Sequence, residues 1–579
     1  MTRAGGVTRR LAAFSDLLVR PHSWQPLEAL YARVRALPPS DQLVMGLLAV
    51  CAVTAAIASL FALEQSILVT VPAYGGTLVE GDVGNPRFVN PLLAISDADN
   101  DLTALTYAGL MGLSGNGTLV PVLAQSYTVS PDGKTYTFTL RPNAQFSNGT
   151  PVTAADIVYT VQKAQDPALK SPVYADWAGI DVTAIDSHTV RFVLPRPYAP
   201  FLELTTLGIL PAQDWKSISD ENFPFSQLET RPVGAGPFKI TSVSRDSSGL
   251  ITSVALAANP HYALGRPYLN GIRLTFYSRT EDLASALSNG AVQSAYGIST
   301  PHALLAPYSR VFGVFWNPSE NQVYARAEVR KALSLAINRT ALVKNALGGY
   351  ATAIMGPVPP GSGITEVPIP AESNYTAAAA NVLEAGGWTY DGSAREWKNA
   401  KTKQTLGNIT LRTSNAPELK NVALAVQHDW QQLGITVSVE LYEPGDLSQN
   451  VIQPRKYDAL LYGEVIGRSQ DLYAFWDSQE QNDPGLNIAL YANKTVDALL
   501  EDARTNPDPN ARLNDLQKIE TTIASDYPAA FLYAPDFVYS VPSSLHGVEL
   551  PQIASPADRF ATVSKWYQET VRVWPFFAR

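Results

Sequence analysis

Residues 126–141 read SYTVSPDGKTYTFTLR. Asp132-Gly133 is a turn pair, and after it Tyr136, Phe138 and Leu140 alternate with threonines, the period-two pattern of a half-buried strand. The stretch predicts a β-hairpin. Downstream, Asp186–Leu194 (DSHTVRFVL) repeats the strand signal, and then the period changes. Leu283 and Leu287 at i,i+4 mark a helix that stops near Gly290. Val329, Leu333, Ala336 and Ile337 put an apolar stripe on a helix in EVRKALSLAINR, and Leu513, Leu516, Ile519 and Ile523 do so in Asn510–Ser525. In Ala377–Gly387 two glycines supply the helix stop. Strand and helix signals mix along the chain without an internal repeat or a long Pro/Gly/Ser linker, which predicts one α/β body of about 500 residues. Single cores rarely exceed about 250–300 residues, so the body should split into lobes with a cleft between them.

Composition narrows the function. Of 579 residues, 43 are Lys or Arg and 52 Asp or Glu, a formal charge of −9, and nothing in the main body resembles the basic stripe that nucleic acid requires. Charged residues make up only 16%, while ten Trp and 26 Tyr suggest uncharged, aromatic-lined surfaces. The single cysteine, Cys51, excludes an intrachain disulfide framework and a CxxC metal site.

Residues 43–63, LVMGLLAVCAVTAAIASLFAL, form an uncharged apolar run bounded by Asp41 and Glu64. At about 1.5 Å per residue such a helix spans a bilayer core of about 30 Å. The preceding segment, 1–42, holds six arginines against few acids, which predicts a cytoplasmic N-terminus and an exported body. A cleaved signal peptide would have a shorter basic region and a shorter apolar core. Leu48-Ala49-Val50-Cys51 only faintly resembles a lipoprotein box, and apolar sequence continues beyond it. A retained single-pass anchor is the expectation, with Cys51 as an apolar residue at mid-bilayer. Leu11, Phe14, Leu17 and Leu18, then Leu27, Leu30, Tyr31, Val34 and Leu37, recur at helical spacing among arginines. They suit either short amphipathic helices on the inner leaflet or a weakly ordered basic tail.

A search for catalytic or metal chemistry returns little. HExxH, P-loop, GxSxG and GxGxxG patterns are absent, and the six histidines stand apart, with none at i,i+3 or i,i+4. Nothing in these patterns supports an enzyme, a cofactor or a metal site, although folding could still assemble a metal cluster or a triad from scattered residues.

Several segments in order resemble the extracytoplasmic solute-binding proteins of ABC importers, in the family that handles oligopeptides, dipeptides and nickel complexes. Gly75–Glu80 followed by Asn90-Pro91-Leu92 resembles that family's opening strand and NPL turn. Pro121–Ser126 and Asp132–Arg141 resemble its hairpin, and Phe146–Asp156 (FSNGTPVTAAD) its following loop. Pro232–Ile240 (PVGAGPFKI), Val329–Arg339 (VRKALSLAINR), Asn381–Trp388 (NVLEAGGW), Leu433–Val437 and Tyr457–Gly463 (YDALLYG) continue the match across 74–545.

The resemblance implies the two-lobe periplasmic-binding-protein-like form, of the large three-subdomain type II, here behind an N-terminal transmembrane helix. The expected divisions are 43–63 for that helix, 74–298 for the first lobe with an extra subdomain at 106–205, 299–530 for the second lobe, and 531–579 for the return and tail. It further implies a monomeric, non-enzymatic receptor that closes on a peptide and delivers it to an ABC permease. The same fold binding an oligosaccharide or metal chelate stays open, as does a tethered peptide-binding chaperone without a permease. Aromatics and charges near strand ends supply the candidate ligand contacts: Tyr107, Trp177, Phe315, Trp316, Tyr462, Glu464, Arg468, Asp471 and Trp476. Core packing is the alternative account of each aromatic, a surface loop pair that of Arg468 and Asp471, and a solvated strand end that of Glu464. Peptide-binding relatives carry an aspartate for the ligand's ammonium where alignment on Asp471–Trp476 sets Arg468. Arg468 is therefore expected to face a carboxylate instead.

Overall fold

The computed structural model describes residues 25–371 and 374–577, in two compact units. The smaller unit holds helices Gln25–Arg35 and Pro39–Ile67 and the paired strands Val69–Ala73 and Glu569–Val573. Helix Pro39–Ile67 contains the apolar run, begins behind Pro38 and exposes Leu43, Leu47, Leu60 and Phe61 alike, so it is apolar all round. That is the composition of a lipid-facing helix, not of a surface helix with one buried stripe. The second basic amphipathic stretch forms helix Gln25–Arg35; the first, at 11–18, lies outside the described residues.

The larger unit, Pro72–Glu569, is organised by a 12-stranded mixed sheet. Its central strand, Ala529–Ser540, has 12 residues and spans about 40 Å. Its first half pairs antiparallel with Arg310–Trp316, Phe315 opposite Ala529. Its second half pairs with Leu304–Pro307 and Ser294–Tyr296, Ala295 opposite Ser540. From the first half the sheet continues through Ala459–Val465 to Asn408–Ser414 and Thr436–Tyr442; from the second it continues through Thr77–Val83 to Gly271–Tyr277 and the hairpin Phe238–Ala258.

Three large cores follow from this division. One gathers Leu78 to Phe276 with Phe537, Tyr539, Phe560 and Trp566. The other two lie on opposite faces of the remaining half. Val314 and Trp316 point into the core of Leu333 and Trp430, whereas Val311 and Phe315 point into the core of Leu460 and Trp476. A strand buried on both faces reads as a continuous apolar run, as VFGVFW does.

Local signals behave as their chemistry dictates. The hairpin forms from Ala124–Val129 and Thr135–Leu140, with Gly133 at φ 68° and the Lys134 N–H donating to Asp132. With Thr189–Val193 and Asp181–Ala184 it makes a four-stranded antiparallel sheet. The 329–339 region is not one helix, however. It ends at Leu335, and Asn338 caps a second helix, Arg339–Ala346, by accepting from the Ala341 N–H. The Asn side chain competes with the continuing helical ladder, which is why it starts helices better than it extends them.

An ion cluster is buried where the elements of the first core meet. Arg559, fully buried, donates to Glu80 at 3.0 Å and to Asp101 at 2.8 Å. Glu80 also accepts from Tyr539 at 2.8 Å and from Ser294. Asp82, two residues along the same strand face, has no partner. Burial, then Asp101, pushes its carboxyl up to about 9, so it is protonated at neutral pH.

Candidate functional site

The two halves of the large sheet meet where the chain passes from Tyr296 to Arg310 and returns through Pro535–Val538, and there they enclose a cavity of about 420 Å³. Asp97 and Tyr296 contribute from the first half, Tyr308, Arg310, Asp536 and Phe537 from the crossing, and Leu347, Tyr350 and Glu418 from the second. Asp97 opens helix Asp97–Thr106 behind a Ser96/Asp99 capping box, which fixes its position one residue inside the helix start. Tyr308 lies between two strands and Arg310 opens the second, Arg310–Trp316, with a bend at Ser309 across which the Arg310 N–H donates to the Tyr308 carbonyl at 2.6 Å.

An aromatic floor forms first. Phe537 stacks on Tyr296 (5.8 Å, 11°) and meets Tyr308 edge-on at 5.6 Å. The Arg310 guanidinium lies 4.1 Å over the Tyr308 ring, and its buried Nε has no hydrogen-bond partner. Around the rim, Asp97 accepts from the Tyr296 hydroxyl at 2.9 Å and Glu418 from Tyr533 at 2.7 Å, while burial raises the Asp536 carboxyl above its ordinary value. One guanidinium and three carboxylates around stacked rings can hold both ends of a zwitterion along an apolar surface.

A second set of contacts bridges the two halves beside this cavity. Arg468 donates to Asp558 at 2.6 Å, with its Nε buried and unpartnered. Asp471 accepts from Arg504 at 2.9 Å and from Tyr198 at 3.4 Å, and the Ala199 N–H donates to the Arg504 carbonyl. Glu203 faces Arg468 across the same boundary; burial pushes its carboxyl up to about 7, with Arg468 opposing.

None of the nine residues singled out in the sequence lines the 420 Å³ cavity. Trp177 packs on Phe192 and Phe201, Phe315 and Trp476 on each other, and Trp316 on Tyr324 and Trp430, all inside the cores. Tyr462 is half-buried against the Trp476 core. Glu464 is not a solvated strand end. It is wholly buried, and burial drives its carboxyl well above the usual range, with Trp476 opposing. Tyr107 and Arg468 line a separate 210 Å³ cavity with Asp558. Arg468 and Asp471 are not paired with each other as a surface loop; each reaches across to the other half. The residues missed, Asp97, Tyr308, Arg310, Asp536 and Glu418, carried one readable signal, an arginine placed directly before the apolar run VFGVFW.

Two half-sheets joined by crossing strands, with a charged aromatic cavity at the crossing, make an arrangement suited to holding a small solute. A family model described as bacterial extracellular solute-binding proteins, family 5 (middle) matches residues 118–485. The chain belongs to this family of binding proteins, the solute receptors of ABC importers. The probable D,D-dipeptide-binding periplasmic protein DdpA of Escherichia coli is 26% identical over 525 residues, covering 84% of this chain and 94% of its own length. The oligopeptide-binding protein AppA of Bacillus subtilis is 25% identical over 520 residues, covering 86% and 92%. The solved structure of AppA, in complex with a nonapeptide, superposes with a TM-score of 0.67 over 86% of this chain and 99% of AppA. The ABC transporter substrate-binding protein CtaP of Listeria monocytogenes superposes with a TM-score of 0.72 at 24% identity, covering 86% of this chain and all of CtaP. These superpositions bear on the fold alone.

Proposed function

We propose that this receptor captures peptides outside the cytoplasm while anchored by helix Pro39–Ile67, and hands them to an ABC permease. The observation that carries the reading is Arg310, whose buried Nε is unpartnered at the wall of a cavity that Asp97, Asp536 and Glu418 also line. A peptide's carboxylate meets the guanidinium, its ammonium meets a rim carboxylate, and its backbone lies against the aromatic floor. The peptide-binding names of DdpA and AppA support the same ligand class. The one helix among the described residues that is long and apolar enough to cross a bilayer supports the anchor, with the cytoplasmic side set by the basic segment before it.

The test is calorimetry on the full-length chain with tetrapeptides bearing either a free or an amidated carboxyl end. A charge-assisted contact of about 1.5–3 kcal/mol predicts that Arg310→Ala weakens free-acid peptides by about 10–150-fold and leaves the amides nearly unchanged. Equal binding of acid and amide by the unaltered protein would overturn the assignment of Arg310. Failure to bind any peptide would overturn the peptide reading itself.

A further inference from the structure

The strand Glu569–Val573 pairs with Val69–Ala73 immediately beyond the apolar helix. A Cβ on Gly75 would meet the Glu569 side chain at 2.5 Å, and one on Gly76 would meet that of Gln568. Partner numbers therefore fall on one strand as they rise on the other, and the pair runs antiparallel. The second strand therefore runs toward Val69 and the end of the helix; it stops at Val573, and Trp574 with the short helical turn Pro575–Phe577 follows from there.

These residues form an exposed apolar cluster. Phe576 and Phe577 are 67% and 69% exposed, with ring centroids 4.3 Å apart, and Trp574 stacks 6.5 Å from Phe576. Ile67 and Val69, at the end of the helix and the start of the strand after it, add exposed aliphatic surface. Single exposed apolar residues are ordinary, but a contiguous aromatic group ending beside a helix that is apolar all round is not. Aromatic rings, Trp above all, favour the headgroup layer because their apolar body and polar edge match its gradient.

We propose that Trp574, Phe576 and Phe577 insert into the headgroup region of the outer leaflet, a second membrane contact joined to the anchor helix through the strand pair. This rests on the reading of Pro39–Ile67 as a retained anchor. The occupant is a phospholipid surface, because the exposed aromatic cluster follows a strand that runs toward the end of the lipid-facing helix.

The full-length chain in phosphatidylcholine vesicles tests it. Emission of the protein minus that of Trp574→Phe isolates the Trp574 signal. That signal should be blue-shifted and quenched at least two-fold by lipids brominated near the headgroup, and less by lipids brominated near the chain ends. A vesicle-anchored, carbonate-resistant chain whose Trp574 signal is unquenched would place the rings against water, a second copy or another protein, and would overturn the proposal. A chain that carbonate extracts from the vesicles would overturn the anchor reading, and this inference with it.

Discussion

Replacing Arg468 with alanine should open the receptor. Arg468 and Asp558 are each 16% exposed and 2.6 Å apart, and they join the two halves beside the ligand cavity. A charge-assisted hydrogen bond at such a depth contributes about 1.5–3 kcal/mol. Losing about 2 kcal/mol multiplies the open-to-closed ratio by about 30. Apparent affinity scales with the fraction of closed form, so ligand binding weakens about two-fold if closure starts thirty-fold favoured, and nearly thirty-fold if the closed form starts as a minority. Asp558 is the wrong partner to replace. Its Oδ2 also accepts from the Ala554 and Ser555 N–H groups, so its loss would unravel a helix cap as well. Spin labels at Thr128→Cys and Lys420→Cys, both exposed and on opposite sides of the crossing, report the separation in a Cys51→Ala background. Pulsed dipolar distances on the full-length chain in nanodiscs should lengthen in Arg468→Ala and partly recover in Arg468→Lys. Distributions identical to those of the unaltered protein would mean that this ion pair does not hold the halves together.

Glu203 has a carboxyl raised to about 7 by burial, so the closed state favours its protonated form. Its stabilising contribution is complete below the ordinary glutamate range of about 4.5 and is lost as pH rises to about 7. Melting temperatures of Glu203→Gln should therefore fall less between pH 5 and 8 than those of the unaltered chain; parallel curves would refute the assignment. Arg559→Met strands Glu80 and Asp101 in the core, at a cost of about 3–5 kcal/mol, which over a unit of about 500 residues lowers the melting temperature by about 3–5 °C at neutral pH. A fall of less than about 1 °C in scanning calorimetry would show that neighbouring groups neutralise the orphaned carboxylates almost fully.

What was readable in the sequence was local. The DG turn, the period-two strand after it and the uncharged apolar run each state their structure within twenty residues, because the deciding interactions lie between near neighbours. Asn338 shows the limit: its side chain halts a stripe that apolar spacing alone would continue through Ile337. The site was harder to read for a physical reason. Asp97, Arg310, Glu418 and Asp536 are hundreds of residues apart, and a strand of 12 residues shared by both halves of the sheet brings their elements together. Phe315 and Trp316 sit inside the cores, since a ring on a strand buried on both faces has no route to a cleft. Charge is the better guide in this chain. With only 16% of residues charged, Arg468 with Asp558, Arg504 with Asp471, and Arg310 with the cavity carboxylates all lie at or beside the crossing. Apolar packing can hold each half together without them. Only where the halves must part and rejoin around a polar solute do paired charges, whose partners can exchange for water or ligand, serve better than fixed hydrophobic contact.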